Sequence, residues 1–354
     1  MSHAPATIEV AVEDVAFGGN GVARHEGKAV FIPFVIDGEK VTARIVHQKK
    51  RFAEAALEDV IIASPHRVEP PCPYFQTCGG CSYQHIAYGR QLEIKSRQVE
   101  QTLRRVGKLA HVPMQAIIPS PDIYHYRNRI RVHIEEGRVG FYARDAHELI
   151  DIESCAIASP EVNEALRAFR SRAVFDGDYT LSENAGGRFF EQTNDTVARE
   201  MLAVVERLVK RDQSLLVDAY CGSGLFARHL AGMFENVVGI EENVHAVDQA
   251  RRTALPHEKY FAGDVEMHLP EVLATADCGR TTLILDPPAI GITPRVGDLI
   301  MASMPAEVIY VSCNPATLAR DLGQLCRAYQ LISVTPLDMF PQTAEIEVVA
   351  HLRA

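Results

Sequence analysis

From about residue 202 the chain alternates short, mostly apolar runs with helical stretches, and few architectures accommodate that alternation. The runs 215–217, 236–240, 282–285 and 307–311 are strand-like. Each is followed by a stretch of helical periodicity. Apolar strands of this kind are buried on both faces and need helices to cover them, which predicts an α/β doubly wound parallel sheet. Open sheets of that type hold ligands just beyond the carboxyl ends of their strands. The residues that follow each run are therefore where chemistry is expected.

The rest of the chain reads differently. Short β-like segments over 8–15, 21–23, 29–35, 40–46 and 54–60, with turns at Gly18-Gly19-Asn20-Gly21 and Asp37-Gly38, fit a small Greek-key barrel of the OB type. Four prolines between Pro65 and Pro73 mark a boundary. Residues 84–106 then read as a helix rich in Gln, Arg and Glu, and 124–152 returns to strand-like alternation with Arg127, Arg129 and Arg131 on one face. Three parts are expected: a barrel over 1–62, a small central α+β domain over 63–190, and the α/β sheet over 191–354. The helix of the central part, taken as 84–108, could pack on the sheet domain.

Length and composition narrow the class. At 354 residues the chain can bury a sizeable core. No apolar run approaches the ~20 residues of a membrane span and no cationic-then-apolar leader opens the chain, so the expected compartment is the cytoplasm. A net charge of −10 argues against a broadly basic nucleic-acid binder. Charge is uneven, however. Arg90, Lys95, Arg97, Arg104, Arg105 and Lys108 cluster against two acids, and Arg127, Arg129, Arg131, Arg138 and Arg144 against two more.

The strand ends carry the chemistry. Asp218-Ala-Tyr-Cys-Gly-Ser-Gly224 follows one apolar run and precedes a helix; its glycines let a ligand approach the backbone at a helix N-terminus. Only two glycines suit a dinucleotide loop, and the stretch instead resembles the S-adenosylmethionine (SAM) loop of class I methyltransferases. Glu241 ends the next run, where an acid can accept from a ribose diol, and Asp264 follows a third, where it would suit an adenine amino group. Each acid alone would pass as a helix cap or a solvated residue. Asp286-Pro287-Pro288 forms a turn at the lip of the same edge, as in many methyltransferases acting on nucleic-acid bases. Ser312-Cys313-Asn314-Pro315 places a thiol at that edge, which suggests covalent chemistry.

Eight cysteines in a reducing compartment point to metal or catalysis rather than disulfides. Cys72-x5-Cys78-x2-Cys81, with Gly79 and Gly80 between, suits a soft-metal centre with Cys155 as the candidate fourth ligand; spacing leaves iron–sulfur and zinc both open. Cys221 reads as a small packed residue.

Together these residues resemble the RNA 5-methyluridine methyltransferases that carry a TRAM barrel and an iron–sulfur centre. The stretch from Ser312 to Asp321 is similar to that family's nucleophile motif. The resemblance implies a [4Fe–4S] cluster on Cys72, Cys78, Cys81 and Cys155, and contacts from Tyr220, Gly222, Glu241, Asp264 and Asp286 to SAM or the target uracil. Phe190-Glu-Gln-Thr-Asn194 resembles the entrance to the SAM site, which makes Gln192 a ligand. The stretch from Asp338 to Glu347 resembles the segment bearing the family's base and implies Glu347 in that role. Two departures stand out: Ala289 replaces an arginine, and Gln342 a histidine. Glu345 also stands where the family usually has histidine, and the chain is shorter than typical relatives in its central region.

The implied reaction is methylation of carbon 5 of a uridine. Cys313 would add to carbon 6, and Glu347 would remove the carbon 5 proton after methyl transfer. The expected substrate is 23S ribosomal RNA, with transfer RNA as the alternative, and no obligate protein partner is evident. A third possibility is an RNA-binding protein with impaired catalysis, suggested by Ala289 and Gln342.

Overall fold

Alternation of buried and exposed residues closes the amino-terminal strands on themselves. In a computed structural model describing residues 6–144, 146–172, 175–183, 192–210 and 212–354, β1 (Thr7–Val15), β2 (Asn20–His25), β3 (Lys28–Pro33), β4 (Lys40–Gln48) and β5 (Phe52–Ile62) form a closed barrel in the order β1-β2-β3-β5-β4. The buried core of the barrel carries Ile8, Val10, Val12, Val30, Ile32 and Val41 together with Ala23, Ala43, Ala53 and Ala55. Small side chains suit a barrel this size, since five strands enclose only enough space for packed side chains. The described residues divide into two units, Met1–Gln98 with Asp122–Ala185 and Phe340–Glu345, and Val99–Pro121 with Gly186–Met339 and Ile346–Ala354.

The first unit holds the barrel and a four-stranded antiparallel sheet. Its strands β6 (Arg129–Glu135), β7 (Arg138–Tyr142), β8 (Leu149–Asp151) and β9 (Gly177–Ser182) run in the order β8-β7-β6-β9. One face, with Ile130, Val132, Ile134 and Val139, packs with Val162 and Leu166 of α2 (Pro160–Arg170). Ser159 starts that helix by accepting the Val162 N–H, and Pro160 follows at the first turn, where its missing N–H is not needed. The helical pattern expected over 84–106 is α1 (Tyr88–Arg105).

The second unit is the α/β sheet. Its strands are β10 (Leu215–Ala219), β11 (Asn236–Glu241), β12 (Glu258–Ala262), β13 (Thr281–Leu285), β14 (Glu307–Ser312), β15 (Gln330–Leu337) and β16 (Glu347–Arg353). Among the described residues they form a seven-stranded sheet in the order β12-β11-β10-β13-β14-β16-β15. The first five are parallel, and β16 runs antiparallel to both neighbours. The helices are α3 (Asp195–Leu208), α4 (Leu225–Leu230), α5 (Val244–Arg252), α6 (Val265–Ala274), α7 (Pro294–Ser303) and α8 (Pro315–Leu325). Every residue of β13 and β14 is buried, as the continuous apolar runs require. The order reverses between β10 and β13, and the crevice at such a switch point is where open α/β sheets bind ligands. No helix among the described residues is long and apolar enough to cross a membrane.

Candidate active site

Strand register gathers most of the singled-out residues on one edge. Ala219 lies level with Leu285, so Tyr220 and Asp286 both emerge just beyond the strand ends. Glu241 closes β11, and Asp264 follows β12 on the same side. Cys313 follows β14 directly. Because β16 is antiparallel to β14, with Ser312 opposite Val348, the first residue of β16, Glu347, arrives at the end where Cys313 leaves. Cys313 is exposed and Glu347 buried. Gln192 is half-buried and lies two residues before Asn194, the cap of α3; Phe190 and Glu191 fall outside the described residues.

The loop after β10 is held from below. Glu241 accepts the Gly222 N–H (3.0 Å) and the Asn243 N–H (2.8 Å), so this acid orders the loop it was expected to share with a ribose. Gly222 and Gly224 have left-handed backbones (φ +54° and +85°), as does Tyr220 at +65°. Gly239, inside β11, is needed for a different reason: a Cβ there would strike the Tyr260 ring and sit 2.9 Å from Cys221 Sγ. Asp264 caps α6 by accepting the Glu266 N–H (2.8 Å), the local role a lone acid was expected to be capable of. Cys221 is buried, as expected of a packed residue.

Two carboxyls here are strongly perturbed. Burial first, then the charge of Glu241, pushes Asp286 up to about 7. Asp218, fully buried at the end of β10, is pushed up to about 8 by burial and by the charges of Asp286 and Glu241. Its Oδ2 accepts the Ala227 N–H (2.8 Å), tying α4 to the strand. Asp218 opens the loop motif, and a strand-end acid gives no sign in sequence of whether it faces the core.

The turn after Asp286 is pinned to the helix after Cys313. The Ala289 carbonyl accepts from Asn314 Nδ2 (3.2 Å) and Thr317 Oγ1 (3.0 Å). Arg320 donates to the carbonyls of Ile290 (2.8 Å) and Ile292 (3.1 Å). Asp321 is buried and accepts the Ile292 N–H (3.0 Å), the Tyr310 hydroxyl (2.6 Å) and Arg320 Nε (2.7 Å). Asn314 also caps α8 through the Ala316 N–H.

Gln342, one of the departures, sits in the first unit. Its backbone is left-handed (φ +68°) and it is 2% exposed. Its Oε1 accepts from Gln91 Nε2 (2.9 Å), its N–H donates to Gln91 Oε1 (3.1 Å), and its Nε2 donates to the Ile123 carbonyl (3.3 Å). The side chain is fully engaged in holding this buried turn.

The four cysteines lie in the first unit. All are half-buried free thiols. Burial raises Cys78 to about 11 and Cys81 to about 12 and also raises Cys155, and the charges of the other cysteines add to each shift, so the four thiols lie within electrostatic reach of one another. The Gly80 N–H donates to Cys78 Sγ (3.4 Å), and the Ile157 and Ala158 N–H groups donate to Cys155. Soft donors with amides aimed at them suit an iron–sulfur centre chemically. As they stand, no group of three or more His, Cys, Asp or Glu among the described residues is arranged to hold a metal ion. The expected cluster therefore rests on the donor set alone.

Comparison with known proteins decides the family. Residues 6–57 match the TRAM domain, and residues 271–354 the family described as tRNA (uracil-5-)-methyltransferase. An RNA methyltransferase of Bdellovibrio bacteriovorus is 32% identical over 376 residues, covering 98% of this chain and 95% of that protein. The chain belongs to the TRAM-bearing RNA (uracil-5-)methyltransferase family. An RNA methyltransferase of Aquifex aeolicus is 28% identical to this enzyme over 419 residues, covering 98% of each. Among solved structures, the Pyrococcus abyssi tRNA (uracil-54, C5)-methyltransferase, crystallised with S-adenosyl-L-homocysteine, superposes on the methyltransferase with a TM-score of 0.73. That match has 24% identity and covers 98% of this chain and all of that one, a likeness of fold.

Proposed function

We propose that this methyltransferase transfers the methyl of SAM to carbon 5 of a specific uridine in 23S ribosomal RNA through a covalent adduct on Cys313. The observation that carries the reading is the antiparallel register of β14 and β16. It supports a nucleophile and a base acting on one ring from the edge that also bears the glycine loop.

Carbon 5 of uracil is too weak a nucleophile for a sulfonium methyl until carbon 6 is attacked. The Cys313 thiolate forms a bond to carbon 6, and the electron pair of the ring double bond moves to give an enolate. Carbon 5 takes the methyl, which SAM supplies. Glu347 removes the proton from carbon 5, the double bond reforms, and Cys313 leaves as the thiolate. Asp286, raised by burial, holds the uracil edge. Gln192, Tyr220, Gly222, Glu241 and Asp264 line the SAM side. The division into a barrel over 1–62, a central part over 63–190 and a catalytic part over 191–354 assigns RNA holding to the first two. There the exposed Arg105, Lys108, Arg131 and Arg138 meet phosphates, whereas Arg90 and Arg97 are tied to Asp37 and Asp14. Cys72, Cys78, Cys81 and Cys155 would hold a [4Fe–4S] cluster that fixes this region, and the protein acts in the cytoplasm.

Transfer RNA is the second reading, favoured by the description of the family matched over 271–354. One experiment separates them. The protein is incubated with SAM and with 23S ribosomal or transfer RNA transcripts carrying 5-fluorouridine, and adducts are sought by mass spectrometry. A fluorine at carbon 5 cannot leave as a proton, so the adduct persists. An adduct on ribosomal RNA that is absent in Cys313→Ala supports the proposal; one on transfer RNA only moves the substrate; none on either overturns the covalent reading. Iron and sulfide analysis after anaerobic purification tests the cluster.

A further inference from the structure

The turn after Asp286 presents an apolar side chain that the fold neither buries nor releases. Ile290 is 74% exposed, at the lip beside the nucleophile segment. Its neighbour Ala289 is bonded to Asn314, the residue after Cys313. Isolated exposed aliphatics are ordinary on a loop, but a free loop can fold such a side chain back. This one cannot. The Ile290 carbonyl is held by Arg320, the Ile292 amide by Asp321, and the Gly291 N–H donates back to the Pro288 carbonyl (2.8 Å). Gly291 itself has a left-handed backbone (φ +77°), and a Cβ there would collide with Asp321 Oδ2 and Arg320. Among the described residues, the hydrogen bonds on 288–292 all fix the backbone, and Ile290 stays 74% exposed.

We propose that Ile290 is a wedge for base extrusion: it inserts into the stack that the target uridine vacates when the base turns into the site. This rests on the uridine reading above. A uridine can meet a nucleophile at carbon 6 only outside its stack, and unstacking costs a few kcal/mol. Proteins that open nucleic-acid stacks repeatedly use Ile, Leu, Met or Phe as the inserted group, because an apolar side chain recovers part of the lost stacking and does not compete for base edges. A rigid mounting is what such a side chain needs, since a wedge that gives way does not hold the gap.

The test compares folded and unstructured substrates. Wild type, Ile290→Ala and Ile290→Leu are assayed on 23S ribosomal and transfer RNA transcripts folded with magnesium. The same enzymes are then assayed on short single-stranded fragments containing the target uridine, unmethylated. With the wedge, Ile290→Ala lowers kcat/KM on folded RNA by roughly tenfold or more, from loss of the buried methyl and methylene groups, but changes the rate on single-stranded fragments less than about twofold. Ile290→Leu stays near wild type on both. A 2-aminopurine placed beside the uridine brightens with wild type and less with Ile290→Ala. Equal losses on folded and single-stranded RNA, or no loss on either, overturn the wedge. Failure of wild type to methylate any of these RNAs would instead be a failure of the uridine reading.

Discussion

Asp321 is the keystone under the Asp286 turn, and removing it tests how that turn is built. Asp321→Ala strips the acceptor from two buried donors, the Tyr310 hydroxyl and the Ile292 N–H, and from Arg320 Nε. A buried donor left without a partner costs about 1–3 kcal/mol. The Arg320 pair is half exposed on the arginine side and adds less than about 1 kcal/mol. Some relaxation is expected around the site, so a total near 3 kcal/mol is reasonable. In a unit of this size 1 kcal/mol shifts the melting midpoint by about 2–4 °C, which predicts a fall of roughly 6–12 °C by differential scanning calorimetry. The loop it anchors carries Asp286 and Ile290, so kcat/KM on RNA falls by about tenfold or more even well below the midpoint. Asp321→Asn separates acceptor from charge. Its amide oxygen can still serve Tyr310 and Ile292, leaving only the Arg320 contact broken, and it loses at most about 1.5 kcal/mol. If Asp321→Ala melts within about 2 °C of wild type, or Asp321→Asn is as damaging as the alanine, the argument from orphaned donors is wrong.

Glu347→Gln should still form the Cys313 adduct on ordinary uridine RNA but stall its release, lowering turnover by about 10²–10⁴-fold; normal turnover would remove Glu347 from the base role. Asp286 and Asp218 stay protonated in the fold at pH values where unfolded carboxyls, near 3.8, have ionised. The native state then binds more protons, so the stability they contribute falls as pH rises from about 4 to 8. The difference between wild type and Asp286→Asn in urea titrations should fall across that window, and a rising difference refutes it. Gln342→His, though it restores the family's residue, should destabilise by about 1–3 kcal/mol through the lost Gln91 and Ile123 bonds rather than raise activity; a more active variant with an unchanged melting point would contradict this.

Much of the fold was legible because it follows from periodicity. The apolar runs at 236–240 and 307–311 became β11 and β14 to within a residue at each end, and the alternating segments before residue 62 closed into the barrel. The edge was legible too, since parallel strands send their following residues to one side. What escaped were roles set by burial and long-range register. Nothing local to Asp321 says that its carboxylate lies under a turn thirty residues upstream in the chain. Gln342 looked like a changed site residue; only the pairing with Gln91, far away in sequence, shows that its amide is structural. The Asp264 and Glu241 carboxylates were read for ligands, and local backbone amides were the partners found.

The position of β16 has a consequence for how the enzyme is made. This strand lies between β14 and β15, although both precede it in the chain. While the ribosome is still adding the segment that leads to it, β14 presents an unpaired edge and β15 is paired only along its other side, with residues 113–118. At about 5–20 residues per second that interval lasts seconds, during which the half-built sheet is a target for chaperones and for aggregation through the exposed edge. Glu347 enters with the same strand. A nascent chain can thus carry Cys313, the proposed nucleophile, before Glu347, the proposed base, and a product truncated in this interval would lack Glu347 and leave β14 open to surveillance by proteases.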